Sequence, residues 1–333
     1  MQKYLNTLAL TAVVSLVGAL TAQAQNIAND PIGYNTGSGI ATQTGSGSGF
    51  QAQAVGVNAA GGFWNSKADP NAANEVQATS LAYTDGSGNT LTTSGGSLVS
   101  QTPNGTTSQP QLMTTSTFGA LGAANGAAPG TLWMSYLWQG LNTTGSGGLG
   151  IYRQSIAMFI TGATSTTAGT GSERLDIGMP NIPVGGVAPN ISLWDSGGLG
   201  QHFTSTAPQQ STVAANNGQT AFVLIEFTLD NTTTTADTIN VWINPTLGVY
   251  TPGALGTPNL SLALQDLSAI NGIRFQNAGT NAADGFGGER VDEINIGDTA
   301  QDVETFTSVP EPTSLALAGL GGFGFLTWLR RRK

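Results

Sequence analysis

The sequence predicts an all-β body of two antiparallel sheets packed face to face. Three observations predict it. Short apolar segments recur from about residue 76 onward, separated by clusters of Gly, Ser, Thr, Asn and Pro, which is the rhythm of strands and turns. Those segments are rich in Val, Ile, Phe, Tyr, Trp and Thr, residues that suit a pleated surface. No interior window holds a helical period over three turns. The stretch "LSLALQDLSAI" comes nearest, and it reads equally well as a strand followed by a turn.

In chain order the candidate strands are "SLAYT", "STFGAL", "TLWMSYLW", "QSIAMFITG", "RLDIGM", "ISLWD", "TAFVLIEFTLD", "DTINVWINPT", "GIRFQN" and "RVDEINIGD". The clearest pair is 221–229 with 238–244. In the first, Val223, Ile225 and Phe227 alternate with Phe222, Leu224 and Glu226, so both faces are apolar and a central strand is expected. In the second, Ile239, Val241 and Ile243 face one way, and Asn240, Trp242 and Asn244 the other. The polar link "DNTTTTAD" offers no helix, so the two form an antiparallel hairpin. Pro245 ends it, because proline cannot donate to the ladder. Upstream, residues 25–49 are rich in Gly, Ser and Thr. They read either as a flexible linker or as glycine turns around an edge strand. Phe50, Phe63 and Trp64 tilt the stretch towards partial incorporation.

Composition narrows the function classes. Charged residues are only 9% of the 333, against about 25% in ordinary globular domains. Cysteine is absent, which removes disulfides, Cys-ligated zinc and cysteine nucleophiles. Five of the ten cations, Lys3, Arg330, Arg331, Arg332 and Lys333, lie at the chain ends. Between the ends, five cations face eighteen acids, a balance near −13. Nucleic acid is therefore not an expected partner, since phosphate binding needs a basic surface. Neutral glycans, proteins or Ca²⁺ remain compatible.

Both ends read as addresses. The start "MQKYLNTLALTAVVSLVGALTAQAQN" has a cation at Lys3, an apolar run over 8–20 and an A-x-A site at Ala22 and Ala24. Residues 1–24 are thus a signal peptide, helical while it lasts. At the other end, the apolar run 315–329 spans only about 23 Å as a helix, against a membrane core of about 30 Å. Thr313, Ser314 and snorkelling arginines extend its reach. The four closing cations place the C-terminus in the cytoplasm and the body outside, the side to which the signal peptide also delivers it.

The order Pro310-Glu311-Pro312, apolar segment, Arg330-Arg331-Arg332-Lys333 resembles the PEP-CTERM sorting signal of Gram-negative bacteria. That resemblance implies an exosortase as partner, anchoring by a C-terminal transmembrane helix before processing, and a destination at the cell surface or in a polysaccharide-rich matrix. The order of strand segments resembles the concanavalin A-like (laminin G-type) jelly roll over residues 50–303, closing on Val291-Asp292-Glu293-Ile294-Asn295-Ile296-Gly297. It implies a two-sheet antiparallel jelly-roll sandwich with alternate residues buried between the sheets.

The candidate chemistry is sparse. Asp284, Asp292 and Glu293, with Glu289 nearby, are a possible Ca²⁺ ligand set. The plainer reading is that Asp284 caps a glycine turn, Arg290 pairs with an acid and Asp292 fixes a loop. Trp242, flanked by Asn240 and Asn244, has the composition of a sugar platform, though tryptophan in a sandwich belongs more often to the core. Trp64, Trp138 and Trp194 stand under the same choice. Glycosidases need two opposed carboxylates, and jelly-roll glycanases commonly carry E-x-D-x-x-E on a strand. The nearest string, Glu173-Arg174-Leu175-Asp176-Ile177-Gly178, lacks that spacing. His202 is the only histidine, and no G-x-S-x-G elbow accompanies it.

The expected organisation is a signal peptide at 1–24, a Gly/Ser/Thr-rich segment at 25–49, the sandwich at 50–303, a linker at 304–309 and the sorting signal at 310–333, its membrane segment at about 314–329. The expected function is that of an exported surface or matrix protein, carbohydrate-binding or adhesive and without catalysis. A structural matrix role and a polysaccharide hydrolase or lyase on the same fold are the alternatives.

Overall fold

The computed structural model describes residues 26–30, 32, 63–66, 76–91, 93, 95–100, 110–113, 117–124, 130–141, 153–160, 173–179, 190–195, 209–214, 218–230, 237–249, 253–264, 267–278 and 288–304. The signal peptide, the sorting signal, His202 and Asp284 lie outside them.

Two antiparallel sheets carry the body. The first runs β15 (Leu260–Leu264), β14 (Asp237–Ile243), β13 (Ala221–Leu229), β8 (Gly130–Leu141), β17 (Gly288–Gly297), β6 (Ser97–Ser100) and β3 (Val76–Gln77), and β1 (Asn26–Asp30) also pairs with β17. The second runs β12 (Gln209–Ala214), β11 (Asn190–Asp195), β10 (Glu173–Met179), β9 (Arg153–Phe159), β16 (Gly272–Ala278), β7 (Pro110–Met113) and β2 (Phe63–Ser66). A two-stranded hairpin, β4 (Tyr83–Thr84) with β5 (Thr90–Leu91), stands apart from both sheets.

The pairing follows the sequence pattern where that pattern is strong. β13 is buried on both faces and pairs with β14 in the expected register, Val223 opposite Ile243 and Phe227 opposite Ile239. Its other neighbour is β8, with Ile225 opposite Met134. The main core lies between the sheets. Met134 and Tyr136 of β8, Val223, Ile225 and Phe227 of β13 meet Ile156 and Met158 of β9, Leu175 and Ile177 of β10, and Ile273 and Phe275 of β16. Fifteen or more large apolar side chains removed from water, each contributing about 1.5–3 kcal/mol, are what offset the ordering of a chain without disulfides.

Two expectations need correction. "STFGAL" is not a strand: Phe118–Ala124 is helix α1. Phe118 docks edge-on against Phe227 with ring centroids 5.3 Å apart, and its N–H donates to the Ile270 carbonyl at 2.7 Å. Tertiary packing thus overrides two helix-weakening glycines. The body also begins earlier than residue 50, since Asn26–Asp30 pairs with the end of β17 and Ile32 is fully buried in the core.

Simple alternation also fails in β17. Asp292 pairs with Leu137, yet Asn295 pairs with Ser135, so Glu293 and Ile294 together oppose Tyr136. Glu293 adopts a left-handed φ of 51°. This β-bulge shifts the parity of the strand, which lets Val291, Ile294 and Ile296 all reach the main core.

Candidate functional site

Each sheet has an outer face, and the two are built differently. On the first sheet, side chains of alternate parity to the main core form a second apolar cluster. Trp133 and Leu137 of β8, Phe222 and Leu224 of β13 and Trp242 of β14 are covered by Leu81, Tyr83, Leu91, Leu247, Ala300 and Val303. The cover consists of the β4–β5 hairpin, the turn after β14 and a short helix α2 (Ala300–Val303). α2 starts with a reciprocal capping box between Thr299 and Asp302.

Buried carboxylates pin this cover to the sheet. Asp292 accepts the Leu81 N–H at 2.7 Å and the Glu293 N–H at 2.8 Å. Arg290, beside it on β17, donates to Ser97 Oγ and to the Thr79 carbonyl. Burial pushes the Asp292 carboxyl up to about 8, because the bonds it accepts and the Arg290 charge only partly offset desolvation. Burial likewise holds the Arg290 guanidinium below its ordinary value, with Asp292 opposing. Asp85, Glu304 and Tyr83 form a second group around the turn after β14. Asp85 accepts the Leu247 N–H and Glu304 the Gly248 N–H, both at 2.9 Å. Burial and the charges of Asp85 and Glu304 raise the Tyr83 hydroxyl to about 12.

The outer face of the second sheet sets Arg274, Ala157, Asp176 and Trp194 in one cross-strand row. Ile273 and Phe275 point to the core, so Arg274 points away from it. In the ladder Arg274 lies opposite Ala157, and Ala157 opposite Asp176. The next row sets Gln276 opposite Ser155, Ser155 opposite Gly178 and Gly178 opposite Ser192. Ser155 Oγ donates to Asp176 Oδ1 at 3.1 Å. The Arg274 guanidinium sits 6.0 Å from the centre of the Phe159 ring, which lies over Gly272 so closely that a Cβ there would come within 2.4 Å of it. Arg274 is 1% exposed and Asp176 fully buried. Chemically this floor offers a cation, an anion and hydroxyls within a few strands, a set that suits hydrogen bonding to polar, hydroxylated groups. Its signal in the sequence was a charged residue between apolar neighbours, Arg274 in "GIRFQN" and Asp176 in "RLDIGM".

The other sequence candidates fall elsewhere. Trp242 is 4% exposed, stacked on Trp133 at 5.7 Å with an interplanar angle of 21°, and its indole N–H donates to the Gly256 carbonyl. Its ring meets protein on both sides and is not offered to a sugar. Asn240 donates to Glu226 Oε2 and accepts from Ser261 Oγ. Asn244, at φ 56°, accepts the Phe222 N–H and closes the hairpin end. Trp138 is also buried and donates to Glu289 Oε2 at 2.7 Å within the main core. Nearby, burial and the Glu289 charge hold the Tyr136 hydroxyl well above its ordinary value. Glu293 is 7% exposed at the bulge. Among the described residues no three His, Cys, Asp or Glu side chains gather as a metal site. Asp176, an acid of the 173–178 string, lies on the outer face beside Ser155. Among the described residues no helix is long and apolar enough to cross a membrane.

Comparison with known proteins places the chain's C-terminus. Residues 308–333 match the PEP-CTERM protein-sorting motif. The chain therefore carries the export and exosortase-sorting signal that the Pro-Glu-Pro arrangement resembles, and its destination is the cell envelope. No curated protein matches the sequence. Among solved structures, the body is similar to an endo-β-1,4-glucuronan lyase from the fungus Trichoderma reesei, at 12% identity and TM-score 0.40 over 73% of this chain and 97% of that one. It is similar to an alginate lyase mutant in complex with alginate trisaccharide, at 10% identity and TM-score 0.40 over 83% and 97%. A basic winged bean lectin with Tn-antigen matches at 12% identity and TM-score 0.37 over 70% and 91%. At such distance nothing about ligand or activity carries over.

Proposed function

We propose that the chain is an exported cell-surface or matrix protein whose jelly-roll body, of the concanavalin A-like kind, binds carbohydrate without turning it over. A signal peptide over 1–24 exports it. The tail from Pro310 holds it in the membrane through about 314–329 until an exosortase processes it.

The observation that carries the binding part is the outer face of the second sheet. Arg274 and Asp176 flank a floor of Ala157, Ser155 and Gly178. The two opposite charges and the serine hydroxyls supply donors and acceptors at fixed spacing, on a floor that is itself buried. The strongly acidic body favours neutral glycans over nucleic acid. A ligand must displace what buries Arg274, so binding is expected to be coupled to rearrangement above this floor.

A structural matrix role is the second reading. It is favoured by Trp133, Trp138 and Trp242, none more than 4% exposed, so none of these three serves as a stacking platform. A glycan array combined with turnover assays separates the readings. Binding without product, lost in Asp176→Ala and Arg274→Ala, supports the first. No binding leaves the structural role, and new reducing or unsaturated ends establish an enzyme.

A further inference from the structure

We propose that Asp85 and Glu304 form a pH-sensitive clamp at the C-terminal edge of the body, closed in acid and released in alkali. Both carboxylates bind one turn, through successive backbone N–H groups. Asp85, from the β4–β5 hairpin, takes Leu247, and Glu304, the residue after α2, takes Gly248. The clamp thereby joins three segments that cover the outer face of the first sheet: hairpin, turn and helix. Glu304 also stands only four residues before the sorting motif begins at 308, so its state governs how firmly the body's end is held where the tail departs.

The two carboxyls are not equivalent. Burial raises Asp85, but the Asn89 side chain and the N–H groups of Leu247, Asn89 and Ser87 outweigh it and hold the carboxyl below its ordinary value. Asp85 is therefore a fixed anion. Glu304 is 3% exposed and accepts the Gly248 N–H, while its Oε1 is buried with no hydrogen-bond partner among the described residues. Burial, reinforced by Asp85, raises it from 4.5 to about 7. The groups facing it are Asp85 and Tyr83 from the hairpin and Gly248 from the turn. Asp302, one turn back on α2, is engaged with Thr299. Protonated, Glu304 sits beside Asp85 without repulsion. Ionised, it is a second buried anion next to the first, and releasing it to water is favoured.

The sign follows from linkage. A raised carboxyl contributes stability below its free value and loses it as pH rises through the folded one. With 4.5 in the open form and about 7 in the closed form, the opening constant rises roughly 70-fold between pH 5 and pH 8. Opening uncovers Ala300, Val303 and the sheet residues beneath them.

The test is hydrogen exchange of the full-length protein in detergent at pH 5, 6.5 and 8, corrected for intrinsic rates. Peptides covering 244–249 and 298–304 should lose protection by about 70-fold from pH 5 to pH 8, relative to a reference peptide in β13. Glu304→Gln keeps an acceptor for Gly248 and cannot ionise, so its protection should be flat. Protection in the wild type that does not fall with pH overturns the proposal, as does a fall of equal size in Glu304→Gln. Should that variant not fold, the Glu304 titration followed by carboxyl NMR in the wild type decides, and a midpoint at or below 4.5 refutes it.

Discussion

Trp242 separates two opposed readings of one residue, and replacing it with alanine tests which holds. The ring is 4% exposed, stacked on Trp133 at 5.7 Å and bonded through its N–H to Gly256. Core tryptophan-to-alanine changes cost about 3–5 kcal/mol. Here about 1 kcal/mol comes from the hydrogen bond and about 1 from the aromatic pair, the rest from lost burial and the cavity. For a body of this size that lowers the melting temperature on the order of 10 °C. Trp242→Phe keeps most of the area and loses the N–H, so it should cost about 1–2 kcal/mol. Circular dichroism melts and urea titration measure both. Trp133→Ala should cost about as much as Trp242→Ala, and the double variant less than the sum, because the partners share one contact. Were Trp242→Ala to unfold within 1 kcal/mol of the wild type while glycan binding collapsed, the ring would be a platform and the packing argument would fail.

Other outcomes follow from the same geometry. Asp292 is raised from 3.8 to about 8, so the stability tied to its neutral form is full below pH 3.8 and is lost as pH rises through about 8. Thermal melts across pH 4–8 should therefore fall, and a rise over that window would contradict the buried carboxyl. In Gly96→Ala the new Cβ would lie 2.2 Å from the Gln77 carbonyl oxygen and 3.3 Å from that of Ile32. Backbone must move, the β3–β6 pairing should be lost, and the cost should exceed about 2 kcal/mol in urea unfolding. Replacing Glu311, or deleting 315–333, should change the anchoring and size of the surface form. Mass spectrometry that finds the released wild type still ending in Arg330–Lys333 would exclude processing there.

Much of the fold is written in local pattern. The β13–β14 hairpin was legible because β13 is apolar on both faces, β14 alternates and Pro245 closes the second strand. Strands with weak alternation were not. "QQSTVA" became β12 and "PQLM" β7 because neighbouring strands offered ladders to pair with, not through propensity of their own. α1 escaped detection because at seven residues, with only Phe118 and Leu121 as large apolar side chains in the core, it is too short to show a helical period. The parity shift at Glu293 could not be read at all, since a bulge is visible only against its partner strand.

The site shows the same division. The sorting address is a linear signal, read residue by residue, so its chemistry needs no fold: proline, acid, proline, apolar run and cations suffice. The body's chemistry is different in kind. Arg274 and Asp176 lie about a hundred residues apart in the chain and meet on one face only because β9 pairs with both of their strands. Asp85 and Glu304 converge from two separate segments on Leu247 and Gly248 of a third. For Trp242, flanked by amides in the sequence, core and sugar platform both stood open, and the cover of hairpin and α2 decides for the core. Burial and cross-strand neighbours are products of long-range pairing, and no local pattern of residues encodes them.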